Sequence, residues 1–68
     1  MTRPLTDRER EAIEAYFRQG SVKGGAYALG ISEGAMKLRL SRAKVQLGCD
    51  TLGQLCGVAA IRGLIAAA

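Results

Sequence analysis

The sequence predicts an all-α fold of four short helices, and three observations carry that expectation. Apolar residues recur at helical spacing, first Ala12, Ile13, Tyr16 and Phe17, then Met36, Leu40, Ala43 and Leu47, instead of alternating as in a strand. Glycines at positions 20, 30 and 48 follow the apolar runs, where helices commonly stop. The 49% hydrophobic content is rich in alanine and includes only three aromatic residues, Tyr16, Phe17 and Tyr27, which suits helix packing better than a β-sandwich.

The first helix is expected over 7–18. Thr6 and Glu9 have the spacing of a capping box, which satisfies two otherwise orphaned backbone donors. Pro4 lies just outside the start, and Asp7 and Glu9 suit the positive end of the helix dipole. Ala12, Ile13, Tyr16 and Phe17 give one apolar face. A weaker helix is expected over 22–29. Gly24 and Gly25 each cost about 1 kcal/mol relative to alanine inside a helix, so this element should depend on tertiary contacts through Ala26 and Leu29. Gly30 permits a tight turn.

Ser32 reads as the N-cap of a third helix over 33–47, with Glu33 in its first turn. At about 100° per residue, Met36, Leu40, Ala43 and Leu47 form a narrow stripe that must face the core. The opposite side carries Gly34, Leu38, Ser41, Arg42 and Val45, with Lys37, Arg39 and Lys44 on the flanks. A fourth, glycine-bearing helix is expected over 51–61. Thr51 is its cap, Leu52, Leu55, Cys56 and Ala59 share one face, and a tail follows at 62–68. There is no internal repeat and no β-hairpin signal.

At 68 residues the chain reads as one domain, near the size limit for independent folding, where about 60% of the unfolded surface is buried. Help from a second subunit is therefore expected. Cys49 and Cys56, with no histidine in the chain, supply too few ligands for zinc and are expected to be buried, reduced thiols. Thr2–Glu11 is polar and charged, so no signal peptide is expected. The weakly charged stretch Thr51–Ala68 is too short and too interrupted, by Gln54 and Arg62, for a membrane span. The expected compartment is the cytoplasm.

The net charge is +4, and its placement is informative. Met1–Arg18 holds four bases and four acids, Gly34–Leu47 holds Lys37, Arg39, Arg42 and Lys44 with no acid, and beyond Asp50 only Arg62 is charged. A cationic helix following a glycine turn fits the helix-turn-helix pattern. A helix about 10–12 Å across fits a major groove about 12 Å wide. Flanking lysines and arginines neutralise phosphates. The acid-free face lacks the i,i+4 partners of an ordinary solvated helix, and it exposes Leu38, for which a thymine methyl is a natural contact. No histidine, no strong phosphate loop and no carboxylate pair outside the first helix argue against an enzyme. Glu11 and Glu14 read as solvated.

The runs Leu5–Tyr16 (LTDREREAIEAY) and Ala26–Gly48 (AYALGISEGAMKLRLSRAKVQLG) resemble the LuxR-type, or GerE-type, helix-turn-helix family. The tail Thr51–Ile65 resembles that family's fourth helix, and the likeness covers about residues 4–65. It implies a three-helix helix-turn-helix core plus a fourth C-terminal helix, as in the stand-alone members. Gly24 and Gly25 stand where the family has glutamate and isoleucine. Ala35 and Met36 replace threonine and valine, Arg39 replaces histidine, and Val45 and Gln46 replace basic residues. The turn after the first helix is one residue shorter.

The resemblance implies a sequence-specific regulator of transcription that binds double-stranded DNA as a homodimer, in a bacterium or encoded by a phage, associated with the nucleoid. Lys37, Leu38 and Ser41 would read bases. Arg39, Arg42 and Lys44 would hold phosphates, together with Lys23 and the Ser32 cap. The dimer would form through Leu52, Leu55, Cys56 and Ala59 of the fourth helix, and no cofactor is implied. The central run also resembles the promoter-binding domain of alternative sigma factors, although those end soon after the recognition helix. A protein-interaction module that docks on RNA polymerase or on a larger regulator is the remaining alternative.

Overall fold

The computed structural model describes residues 5–63 and contains four helices: α1 (Asp7–Gln19), α2 (Val22–Leu29), α3 (Glu33–Leu47) and α4 (Leu52–Ile61). No strand occurs among the described residues. Pro4 and positions 64–68 of the expected tail lie outside them.

Every helix starts on a hydroxyl cap. The side-chain oxygens of Thr6, Ser21, Ser32 and Thr51 accept from the backbone N–H groups of Glu9, Gly24, Ala35 and Gln54 at 2.9–3.1 Å. Thr6 N–H in turn donates to Glu9 Oε1 at 3.1 Å, which completes the capping box. Ser21 supplies the start of α2 that propensity alone does not. Two glycines inside eight residues would otherwise leave this helix marginal.

α2 and α3 are joined by Gly30–Ser32 in a helix-turn-helix arrangement, and both pack on α1. Gly30 takes φ +68°, a left-handed conformation that favours glycine. Its N–H donates to Tyr27 O at 3.1 Å, and Ile31 N–H donates to Ala26 O at 3.0 Å, the two bonds of a Schellman cap. Ile31 itself packs against the core, so the turn is anchored as well as bent.

The core draws on all four helices: Ala12, Ile13 and Ala15 of α1, Ala26 of α2, Met36, Leu40 and Ala43 of α3, and Leu55, Cys56 and Ala59 of α4. Leu29 and Leu47 are half-buried against it. Phe17, expected on the apolar face of α1, is instead 42% exposed, and Ala15 is buried in the core. The buried arc of α1 runs through Glu9, Ala12, Ile13 and Ala15, and at about 100° per residue Phe17 falls past its edge. Cys49 and Cys56 are buried free thiols, and burial pushes the Cys56 thiol above its ordinary pKa.

The face of α4 assigned to a dimer contact is used within the protomer. Leu55, Cys56 and Ala59 are buried and Leu52 is half-buried, because α4 packs on α1 and α3 and covers their shared apolar floor. The outward side of α4 carries Gly53, Gly57 and Ile61 instead. No helix among the described residues is long and apolar enough to cross a membrane.

Gly25 explains how a glycine-bearing α2 holds its place. A Cβ at this position would lie 2.6 Å from Met36 Cε, 3.2 Å from the Tyr16 backbone nitrogen and 3.3 Å from the Ala15 carbonyl carbon. The absence of a side chain therefore allows α2 to approach the α1 backbone directly. Gly57 differs, since a Cβ there meets nothing within 4 Å. Gly25→Ala is expected to lower stability in urea unfolding by about 1–3 kcal/mol through overpacking. Gly57→Ala should raise it by about 0.5–1 kcal/mol through helix propensity. Equal effects of the two substitutions would contradict this packing.

Candidate nucleic-acid interface

α3 is positioned by its buried stripe. Met36, Leu40 and Ala43 are essentially inaccessible, so the helix has no rotational freedom about its axis, and the residues opposite must face outward. Leu38 is 51% exposed and Val45, two turns further on the same side, is 77% exposed. Ser41 and Arg42 lie between them and are exposed. Gly34 begins the same stripe, with no neighbour closer to a Cβ than Ser32 Oγ at 4.0 Å.

The flanks carry the charge. Lys37 is exposed, while Arg39 and Lys44 are half-buried. From Gly34 to the end of α3 there is no acidic residue, and Lys37, Arg39, Arg42 and Lys44 make no ion pair among the described residues. α1 contrasts with this, since its Asp7 pairs with Arg10 at 2.9 Å and its Glu14 approaches Arg18 at 3.8 Å within one helix.

Lys23 of α2 and Ser32 lie together at the amino end of α3, lining one shallow depression of about 290 Å³ with Ala26, Tyr27, Ile31 and Glu33. Ser32 Oγ accepts from Ala35 N–H at 3.1 Å, which leaves its hydroxyl hydrogen available to donate outward. The structure thus brings Lys23 and Ser32 together, and it places Leu38, Ser41 and Arg42 on the outer side of α3 with Lys37 and Lys44 on one flank and Arg39 on the other.

Tyr27 was not among the expected site residues, yet it is 89% exposed beside Lys23 and Ser32. The available signal was its i,i+4 spacing from Lys23, which places the two on one helix face. Val45 was expected on the outer side of α3 without a role, and its exposure extends the apolar strip that Leu38 begins. Among the described residues no group of three or more His, Cys, Asp or Glu side chains is placed to hold a metal ion. Comparison with known proteins returns no match, whether to a family model, a curated protein or a solved structure.

The exposure of Leu38 has a direct thermodynamic consequence. Leu38→Ala is expected to change folding stability by less than about 1 kcal/mol, whereas Met36→Ala should cost about 2–5 kcal/mol as a buried truncation. Urea unfolding of the two variants reads this contrast, and a large loss for Leu38→Ala would mean that α3 is rotated from the phase described here.

Proposed function

We propose that this protein is a sequence-specific, duplex-DNA-binding regulator of transcription of the LuxR type, acting as a homodimer with α3 in the major groove. The single observation that carries this reading is the outer face of α3. An apolar strip of Leu38 and Val45 is bordered by four cations with no acid between them. A solvated helix gains from opposite charges at i,i+4 and gains nothing from an exposed leucine. A major groove meets both features, since its walls are phosphates and its floor carries thymine methyls and base acceptors.

In this reading Lys37, Leu38 and Ser41 face base edges. Arg39, Arg42 and Lys44 hold phosphates along α3, and Lys23 and Ser32 hold one at its amino end. Tyr27, beside Lys23, adds a phenolic donor to the same backbone contact. The dimer contact uses the outward side of α4, where Ile61 is 88% exposed, because the inward side is already buried in the protomer.

Selection from random duplex DNA at about 0.1–0.15 M salt tests the proposal, since counterion release dominates non-specific binding at lower salt. A recovered palindrome supports both DNA reading and dimerisation. With Lys23, Arg39, Arg42 and Lys44 each on a phosphate, a dimer neutralises about eight, and log affinity should fall against log salt with a slope of about −7. Arg42→Ala should weaken all sequences alike and reduce the slope by roughly two per dimer. A wild-type slope near zero refutes the proposal.

Base reading by Leu38 has its own test. Wild type should distinguish an operator thymine from uracil, which lacks only the methyl, at one position per half-site. Leu38→Ala should lose that distinction and about 1 kcal/mol on the operator, with almost no loss on random DNA. If wild type binds the thymine and uracil operators equally, Leu38 does not read that methyl.

A further inference from the structure

A cleft of about 670 Å³ opens between the first turn of α1 and the outer side of α3. Arg8, Asp7 and Glu9 line it from α1, and Leu38, Arg39 and Arg42 line it from α3. By composition the amino-terminal third of the chain is neutral, yet the charges inside this cleft do not cancel. Asp7 is engaged by Arg10 at 2.9 Å. Glu9 is 3% exposed and accepts from Thr6 N–H at 3.1 Å. Arg8, Arg39 and Arg42 make no hydrogen bond or ion pair among the described residues. Three arginines from two helices therefore line one concave surface together with two acids that have partners elsewhere.

Convergent like charges raise the local potential and favour an anion. Guanidinium groups match phosphate oxygens in geometry, through paired N–H donors. Leu38 forms one edge of the cleft and also faces outward from α3. An anion held by Arg8 at this cleft would thus lie beside the base-facing strip, at the position of a strand that borders the groove.

We infer that this cleft is an anion site that takes one phosphodiester of the DNA strand passing α1, with Arg8 as a contact supplied from outside the helix-turn-helix. The inference rests on the proposed DNA-binding function. It assigns a role to α1 beyond packing, and it adds one phosphate per subunit to those held by α2 and α3, which brings the dimer to about ten and steepens the expected wild-type slope to about −9.

The test measures fluorescence anisotropy of the full chain on its selected duplex across a salt series, comparing wild type, Arg8→Ala, Arg42→Ala and Arg18→Ala. Arg18 lies at the far end of α1, opposite Glu14. Arg8→Ala is expected to weaken binding to all sequences several-fold and to reduce the salt slope by roughly two per dimer, as for any lost phosphate contact. Its thermal unfolding should match wild type, because Arg8 is exposed, and Arg18→Ala should change neither binding nor slope. Duplexes carrying one neutral methylphosphonate at a time then locate the contact. One position should weaken wild type and leave Arg8→Ala unaffected.

If Arg8→Ala keeps wild-type affinity and slope while Arg42→Ala loses both, the cleft is not a phosphate site and the DNA-binding proposal stands. If every methylphosphonate weakens wild type and Arg8→Ala equally, Arg8 contributes only a diffuse field, and the specific contact is overturned. If wild type shows no salt-dependent binding to any duplex, the DNA-binding proposal falls and this inference falls with it.

Discussion

At the crossing of α1 and α2, a Cβ on residue 25 would lie 3.2 Å from the Tyr16 backbone nitrogen and 2.6 Å from Met36 Cε. Removing that one carbon allows the two helices to meet backbone to backbone, with Met36 of α3 closing the third side. Much else follows from this approach. Ala26, the next residue, enters the core, and α2 ends where Gly30 can turn the chain and Ile31 can pack beneath it. A helix of eight residues with two glycines has little stability of its own. Docking against α1 and the Ser21 cap supply what propensity lacks.

The same junction fixes the rotation of α3. Met36, Leu40 and Ala43 are buried on one side, and a rotation large enough to cover Leu38 would bring one or more of them into water. Each large apolar side chain is worth about 1.5–3 kcal/mol when fully buried, so the phase is strongly held in a core this small. α3 is consequently two-sided: its inner stripe is structural, and its outer stripe combines leucine and valine with cations. An apolar strip displayed on a rigid helix is suited to contact with a partner surface, since little conformational freedom remains to be lost on binding.

Charge is distributed unevenly between the helices. α1 pairs Asp7 with Arg10 and Glu14 with Arg18 within about one turn and leaves Arg8 outside those pairs, and this helix packs on all three others. The bases of α3 have no ion-pair partner among the described residues. α4 carries no charged residue and contributes Leu55, Cys56 and Ala59 to the core. A chain of this length buries a modest fraction of its surface, and a fourth helix laid over α1 and α3 is a means of enlarging the core without lengthening α3.

The sequence by itself determined the helices, because capping and periodicity are local. Thr6 with Glu9, Ser32, Thr51 and the glycine stops mark the ends to within a residue, and the phase of Met36, Leu40 and Ala43 follows from 3.6 residues per turn. The cationic outer side of α3 was legible for the same reason. What depends on distance between helices was not legible. Gly25 read as a weakness and is a condition of close packing. Phe17 read as core and lies past the buried arc. Leu55, Cys56 and Ala59 read as an intermolecular face and are covered within the protomer. Arg8 read as one charge in a neutral segment, yet it stands across a cleft from Arg39 and Arg42. Periodicity specifies which residues share a face, but only the packing of one helix on another decides what that face meets.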